Sequence, residues 1–492
     1  MAGSDQYDVV IVGAGAAGCV VARRLAASGG AILLLEAGPD LRAATPAAMR
    51  DGWSLPQIPD WGFESEPAPD GGAKRLRRGR VVGGTSWLTR FAVRGAATDF
   101  DGWSARGITG WSFADVLPVF RRVESDAEFG GRPWHGDAGP LPITRYPELD
   151  VSDIHAAALR AMEGVGFPAI EDHNAPDAIG IGRMPFNAAV GERVTTADAF
   201  LPRDEPNLSI RADTAVASVI VEGDRATGVR LVDGSEIRAR RVVLAAGTYG
   251  SPPLLLRSGI GPARHLREMG IPVVVDLPGV GANLADHPAV AIDSGWQGAG
   301  VDGPVLHSIG TSKSSLATTG DAPDMMIWVA DPVGDEPTFE LEAVLMKPHS
   351  RGSVLLRSSD PTATPRITLP GLRDERDVDR LVEGHRLIVE LTARPEMRRL
   401  VKQRAHTRPP PAAELRRLVV EQCYSVPHVV GTCRMGPSDD DAAVVDPLGR
   451  VHRVEGLSVI DASIIPEPTA GFPHLVTIML ADRLGEMLAI QV

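Results

Sequence analysis

Cysteine is nearly absent: three residues in 492, Cys19, Cys423 and Cys433. Cys19 falls inside a glycine-rich turn and the other two lack a paired metal spacing. Neither a disulfide framework nor a metal site is therefore expected, and the usage is that of a cytosolic protein. No apolar run approaches the roughly 18 residues that a membrane-spanning helix needs. Positive charge is in deficit, with 50 Lys and Arg against 63 Asp and Glu and a net charge of −13. Phosphates recruit Lys and Arg, so nucleic acid and anionic membranes are not expected partners. Internal repeats are missing, and the one biased tract, Pro409-Pro410-Pro411, reads as a loop. Residues 1–6 are short and polar and do not resemble a signal peptide, which with the cysteine usage gives a cytoplasmic expectation. What remains is ordinary globular composition, 43% hydrophobic and 23% charged. The length argues for two domains.

The informative residues begin early. Residues 7–12 form an apolar run of strand length that ends at Gly13-Ala14-Gly15-Ala16-Ala17-Gly18. Residues 16–28 read as a helix and 31–36 as a second buried strand, a βαβ unit with parallel strands. Glu36 lies 18 residues beyond Gly18, where an acid can bind the ribose of a dinucleotide. A GxGxxG alone is weak, and a glycine-rich turn can bind nothing. The strand before it, the helix after it and the acid at the second strand's end make a dinucleotide site the expectation.

Further on, residues 61–150 are rich in Gly, Trp and Pro and read as long surface-winding connections. Strand patterns return over 207–247, alternating in the middle like an antiparallel meander and ending in a continuous buried run before Gly247. Residues 290–425 hold alternating strands, 374–405 holds helical stretches, and 476–490 reads as a helix returning to the first domain. The fold class expected is α/β with α+β character: a Rossmann-like cofactor domain (1–100, 190–290 and 440–492) and a second, antiparallel-sheet substrate domain (101–189 and 291–439).

Near the end stand two histidines, His428 in Pro427-His428-Val429-Val430-Gly431-Thr432-Cys433-Arg434-Met435-Gly436, and His474 before Leu475-Val476-Thr477-Ile478. Imidazole alone has an unperturbed pKa near neutrality, so it takes and returns a proton at ordinary pH. A dinucleotide and two imidazoles point to redox chemistry with acid–base help.

Several ordered segments resemble the glucose–methanol–choline (GMC) flavoprotein oxidoreductases. These are Arg78-Gly79-Arg80-Val81-Val82-Gly83-Gly84-Thr85-Ser86 with Val93-Arg94-Gly95 and Asp99-Phe100-Asp101-Gly102-Trp103, then Gly250-Ser251-Pro252 through Pro262. Leu277 through His287 and Lys347-Pro348-His349-Ser350-Arg351-Gly352 complete the set. The resemblance implies FAD and oxidation of a small-molecule alcohol to an aldehyde or ketone. It implies that Gly13, Gly15, Ala16, Ala17 and Gly18 face the pyrophosphate, with Glu36 and Ala37 at the ribose and Val216 at the adenine. Arg80, Val82, Gly83, Gly84, Thr85, Ser86 and Thr89 would line the flavin loop. Ala246, Gly247, Asp461, Ala462 and Thr477 would lie along the rest of the cofactor. His428 matches the family's base, and His474 the second active-site position, at the substrate and the flavin. The chemistry suits those roles, because alcohol oxidation removes a hydroxyl proton and a hydride from one carbon. Oxygen, a quinone or a redox partner would take the electrons.

The chain also departs from the family. Trp87-Leu88-Thr89-Arg90 replaces the usual asparagine-bearing stretch, and Leu88 stands where some relatives attach FAD through histidine, so non-covalent FAD is expected. Pro473-His474 and the segment Trp134-His135-Gly136-Asp137-Ala138-Gly139-Pro140 are similar to actinobacterial, mycofactocin-associated members. Alternatives on the same fold are a hydroxynitrile-lyase-like enzyme and a silent flavin protein; NAD in place of FAD is a further one. His287 reads as structural, His135 and His173 as solvated or loop-organising, Arg434 as paired with a local acid, and the run Arg75, Arg77, Arg78, Arg80 as a solvated face. Trp87, Phe91, Met326 and Trp328 read mainly as core.

Overall fold

A computed structural model of the chain describes residues 6–490 except 52–54, 68–71, 147–150, 177, 190, 203, 296–304, 319, 333–337 and 402–409. The loop expected at 409–411 lies partly outside the described residues; Pro410 and Pro411 are coil. The first sheet has seven strands. β1 (Gln6–Val12) and β2 (Ile32–Leu35) run parallel, with Val12 beside Leu35, joined by helix α1 (Ala16–Ala26). These strands are continuously apolar because helices cover both faces. The helix stops two residues short of the expected end, at an Ala27 cap before the Ser28-Gly29-Gly30 turn.

The strand Glu236–Leu244 explains the change of pattern seen in the sequence. Its first half alternates exposed and buried and pairs antiparallel with Arg225–Leu231. Its last residues are buried on both faces, between β1 and the strand Leu457–Val459, both parallel to it. One strand thus belongs to two layers, and its parallel end delivers Ala246 and Gly247 beside the fingerprint turn. The C-terminal helix Pro473–Ala489 packs along α1, where Asp482 receives Arg24 at 2.5 and 2.7 Å.

The second sheet is antiparallel throughout, in the order Tyr424–Ser425, Pro288–Gly295, Thr338–Leu345, Met325–Ala330, Leu306–Ser312, Ile181–Arg183. Strand alternation separates its faces. Ile327, Val329, Leu341, Ala343 and Leu345 face the helices Asp153–Gly164, Glu375–Ala393 and Ala412–Gln422. Met326, Trp328, Ala330 and Val344 point the other way, into a cluster with Phe91, Phe186 and Phe472.

Residues 61–150 are not the surface connections expected. They contain the helices Ala97–Ala105 and Phe113–Val123, and Trp87, Trp103 and Trp111 are each 1% exposed. Large aromatic rings bury too much apolar area to remain outside. His135 is not solvated either. Its ring nitrogens meet Glu124 at 2.8 Å and Asp172 at 2.9 Å inside a network closed by Asp126, Arg94 and Arg145. His173 is buried and organises its loop, with Nε2 at 3.1 Å from the Gly182 carbonyl.

Candidate active site

The fingerprint turn meets the Gly83–Gly84 loop backbone to backbone. The Gly83 amide donates to the Ala14 carbonyl at 2.8 Å. Gly84 has φ +52°, and a Cβ there would lie 2.7 Å from the Gly15 Cα. Gly13 (φ +102°) and Gly18 are equally constrained, since added Cβ atoms would reach the Ala245 carbonyl oxygen at 2.6 Å and the Gly13 carbonyl oxygen at 1.9 Å. Gly15 differs: its Cβ position is open, with only the Gly84 Cα at 4.0 Å. No side chain caps α1 at Gly15, so the Ala16 and Ala17 end of the helix presents bare backbone amides, the arrangement that receives phosphate.

Glu36 is buried and braces this cradle by accepting the amides of Ala14 at 3.0 Å and Gly38 at 2.9 Å. Burial pushes its carboxyl up to about 7 against those two bonds. Ala37 follows it half-buried, and Val216 opens a strand close by, where the Thr214 amide donates to the Glu36 carbonyl. Opposite, the buried Asp461 carboxylate accepts the Gly247 amide at 2.9 Å, the Ser251 hydroxyl at 2.5 Å and the Ser463 amide at 2.7 Å. Ser251 in turn accepts the Ala246 amide, and Ala462 takes the Gly431 amide on its carbonyl. The open cradle, the uncapped helix and the acid beside it fit a dinucleotide.

In the flavin-loop segment, Thr85 takes the Gly79 amide, and Ser86 bonds the Gly83 carbonyl and receives Thr196. The Val82 carbonyl holds the Trp87 indole at 2.9 Å, so Trp87 is core, packed on Met49 and Val81. The Thr89 carbonyl accepts Arg193 at 2.9 Å. The Arg80 side chain is exposed and lies over Trp61, leaving its backbone against Gly38. Arg78 is the residue of that run that reaches the centre: it donates to the Pro427 carbonyl at 3.0 Å and covers the Tyr249 ring.

The two histidines arrive on loops tied by shared partners. The His428 amide donates to Asp286 at 2.7 Å, and the same carboxylate takes the His287 amide and the Ser425 hydroxyl. Asn283 donates to the Gly431 and Pro466 carbonyls, so one amide spans the His428 loop and the loop before His474. Arg351 orients Asn283 at 2.9 Å, and Lys347 joins Asp99 to the Pro468 carbonyl at 2.7 and 2.6 Å. The family-like segments around 99, 283 and 347 thus converge on the histidine loops.

Phe472 joins the two imidazoles' surroundings. Its ring packs on His428 at 4.9 Å and on Trp328 at 5.8 Å, two residues before His474 in the first turn of the C-terminal helix. Phe91 and Phe186 extend the aromatic layer. His428 keeps some exposure, but burial of its ring, with His287 and Arg78 nearby, holds its pKa well below the usual imidazole range. Burial, then Arg193, lowers His474 to about 4. Both are neutral at pH 7, so each has one bare nitrogen lone pair. Thr477 donates to the Pro473 carbonyl at 2.6 Å, one turn back along that helix. His287, read from sequence as structural, stands against His428 with the two Nδ1 atoms 3.2 Å apart. Its Asn-Leu-Ala-Asp-His context carried that signal, but its partner lies 141 residues away. Arg434 pairs with Asp440 as expected. Among the described residues no cluster of His, Cys, Asp and Glu has metal-binding geometry, and no helix is long and apolar enough to cross a membrane.

Comparison with known proteins accounts for this arrangement. Two GMC oxidoreductase family models match residues 7–289 and 348–481. The chain is 34% identical to 5-(hydroxymethyl)furfural oxidase of Methylovorus sp. (strain MP688), covering 99% of both chains. It is 33% identical to the oxygen-dependent choline dehydrogenase of Ectopseudomonas mendocina (strain ymp), over 98% of this chain and 94% of the relative. The crystal structure of pyridoxine 4-oxidase from Mesorbium loti superposes with a TM-score of 0.89 at 30% identity, over 98% of this chain and 99% of that one. Matches of this extent, on a fold with both sheets in place, show that the chain belongs to the GMC oxidoreductase family and is an FAD-dependent oxidoreductase of alcohols.

Proposed function

We propose that His428 is the base that takes the alcohol's hydroxyl proton and that His474 hydrogen-bonds the same oxygen. The observation that carries this reading is the neutral His428 imidazole, held by its own amide on buried Asp286 within an aromatic layer. A neutral imidazole within about 2.6–3.2 Å of a hydroxyl accepts its proton, and a second stabilises developing alkoxide charge. FAD, when bound, supplies the acceptor for the hydride that leaves the same carbon. Gly13, Gly15, Ala16, Ala17 and Gly18 hold the pyrophosphate, Glu36 and Ala37 the ribose, and Val216 the adenine. Arg80, Val82, Gly83, Gly84, Thr85, Ser86 and Thr89 with Ala246, Gly247, Asp461, Ala462, His474 and Thr477 hold the remainder, non-covalently. Residues 1–100, 190–290 and 440–492 form the cofactor domain, and 101–189 and 291–439 form the substrate domain with its connecting segments, of which Trp103 to Ile143 pack on the core of the first.

The substrate is an aryl or aliphatic alcohol, a class favoured by the layer of Phe91, Trp328 and Phe472. Oxygen takes the electrons, a proposal supported by the relatives' being an oxidase and an oxygen-dependent dehydrogenase. The Trp134–Pro140 segment adds nothing to the choice of acceptor, because its Trp134 and His135 bind Asp172 in the buried ion network. A cytoplasmic location rests on cysteine usage. The test is His428→Ala: FAD stays bound while anaerobic flavin reduction by alcohol slows by about 10²–10⁴-fold. Near-normal reduction in that variant overturns the assignment.

A further inference from the structure

His287 is buried to 1% exposure, and its Nδ1 lies 3.2 Å from the Nδ1 of His428 with the rings at 80°. A neutral imidazole carries one N–H and one lone pair, so only one of these two Nδ1 atoms can hold the shared proton. Two arrangements exist. If His287 donates, the other nitrogen of His428, Nε2, carries its hydrogen and offers no lone pair for a hydroxyl proton. If His428 donates, its Nε2 is bare and basic.

The base role of His428 decides between them. The nitrogen that takes a hydroxyl proton must be bare, so the His428 hydrogen sits on Nδ1 and the Nδ1 of His287, 3.2 Å away, is left to accept it. The buried His287 Nε2 has no hydrogen-bond partner that would fix the opposite tautomer. Burial and the Lys347 ammonium keep the ring neutral, so it does not gain a second proton. On the other side, Arg78 disfavours a charged His428, and Asp286 binds both residues' backbone amides, fixing the ring separation.

We propose that His287 is a positioning residue for alcohol oxidation: its Nδ1 lone pair accepts the Nδ1 hydrogen of His428 and so presents the Nε2 lone pair of His428 to the substrate. This rests on His428 being the base. Asp286 then sets the distance, by holding the backbone amides of both residues.

The direct test is ¹⁵N NMR of the FAD-loaded protein labelled at histidine, which reads the protonated nitrogen of His428 without any substitution. The proton is expected on Nδ1; a proton on Nε2 overturns the proposal. Two variants of His287 add a functional readout. Gln at 287 retains an acceptor for His428, whereas Leu retains none. Loss of a group that orients a reactive imidazole costs roughly 10–100-fold in comparable settings. His287→Leu should therefore slow anaerobic flavin reduction by about that factor, with FAD content unchanged, and His287→Gln should recover most of the rate. Equal slowing in both variants, or full speed in His287→Leu, overturns the proposal. His428→Ala separates the two claims: if it reduces flavin normally, the base assignment fails, whatever the NMR shows about the tautomer.

Discussion

Two alanine substitutions at touching glycines should have opposite consequences. At Gly84 the backbone is left-handed (φ +52°), which costs an L-residue about 1–2 kcal/mol. The new Cβ would also sit 2.7 Å from the Gly15 Cα, a backbone atom that cannot swing away. Overpacking of this kind costs about 1–3 kcal/mol. Gly84→Ala should therefore destabilise the cofactor-free protein by about 2–5 kcal/mol. Gly15 has φ −79° and an open Cβ position. Alanine is a poorer N-cap than glycine by several tenths to about 1 kcal/mol, but it reduces unfolded-state freedom by about 0.4–1 kcal/mol. These nearly cancel, so Gly15→Ala should leave the cofactor-free protein as stable as the parent. The added methyl would stand between the helix amides and an approaching pyrophosphate, and 1.4–2.7 kcal/mol of lost binding corresponds to about a 10–100-fold weaker FAD affinity. Denaturant melts of the apoprotein and FAD titration by fluorescence quenching read the two effects separately. Equal stability of the two apoproteins would refute the contact geometry, and an unchanged FAD affinity in Gly15→Ala would refute the role of Gly15.

Other perturbations test other parts of the site. Glu36→Gln replaces an acceptor of two amides by a group with one oxygen; it strands a buried N–H and should cost about 1–3 kcal/mol, read as weakened FAD retention. Asp286→Ala frees the His428 backbone and should lower the flavin reduction rate by about 10²-fold with FAD still bound, since a shift near 1 Å at a reacting group costs that much. The lowered pKa of His428, and of His474 at about 4, means that neither imidazole gains a proton between pH 6 and 8; the limiting reduction rate should be flat across that range and fall only in acid. A rate that rises tenfold from pH 6 to 7 would contradict it. His135→Gln breaks a buried ion network and should cost about 3–5 kcal/mol in melts near neutrality. Burial lowers the His135 pKa, but its bonds to Asp172 and Glu124 outweigh burial and raise it. Its stabilisation is thus complete below the unfolded imidazole pKa and fades as pH rises through the higher folded value. Asp172 runs the other way: despite burial its bond to His135 holds its pKa low, so its contribution is present above the unfolded carboxyl pKa and is lost in strong acid.

Local pattern made the cofactor half legible. β1, α1 and β2 lie next to one another in sequence, and apolar runs broken by glycine determine them. The fingerprint therefore announced both its position and its reason, and Glu36 could be placed by spacing alone. The aligned segments around residues 99, 283 and 347 marked the site, but not what each side chain does. That Asn283 spans both histidine loops, that Lys347 reaches Pro468 and that Arg78 rather than Arg80 reaches the His428 loop all depend on partners far away in the chain. The tryptophan-rich segment misled because glycine and proline content signals turns, while burial is decided by which helices close over the rings. His135 sits in a loop-like sequence, yet three acids and Arg94 converge on it in the fold, with Arg145 bonded to two of those acids. His287 reads as structural for the same reason: nothing local shows that its ring stands against that of His428, 141 residues on.

The most direct measurement is an anaerobic absorbance titration of the FAD-loaded protein with aryl, aliphatic and sugar alcohols, followed by readmission of air. An aryl or aliphatic alcohol should bleach the flavin band, the matching aldehyde or ketone should form in equal amount, and air should restore the colour. Carbonyl release from a cyanohydrin with the flavin band unchanged, and no bleaching by any alcohol, would contradict that expectation.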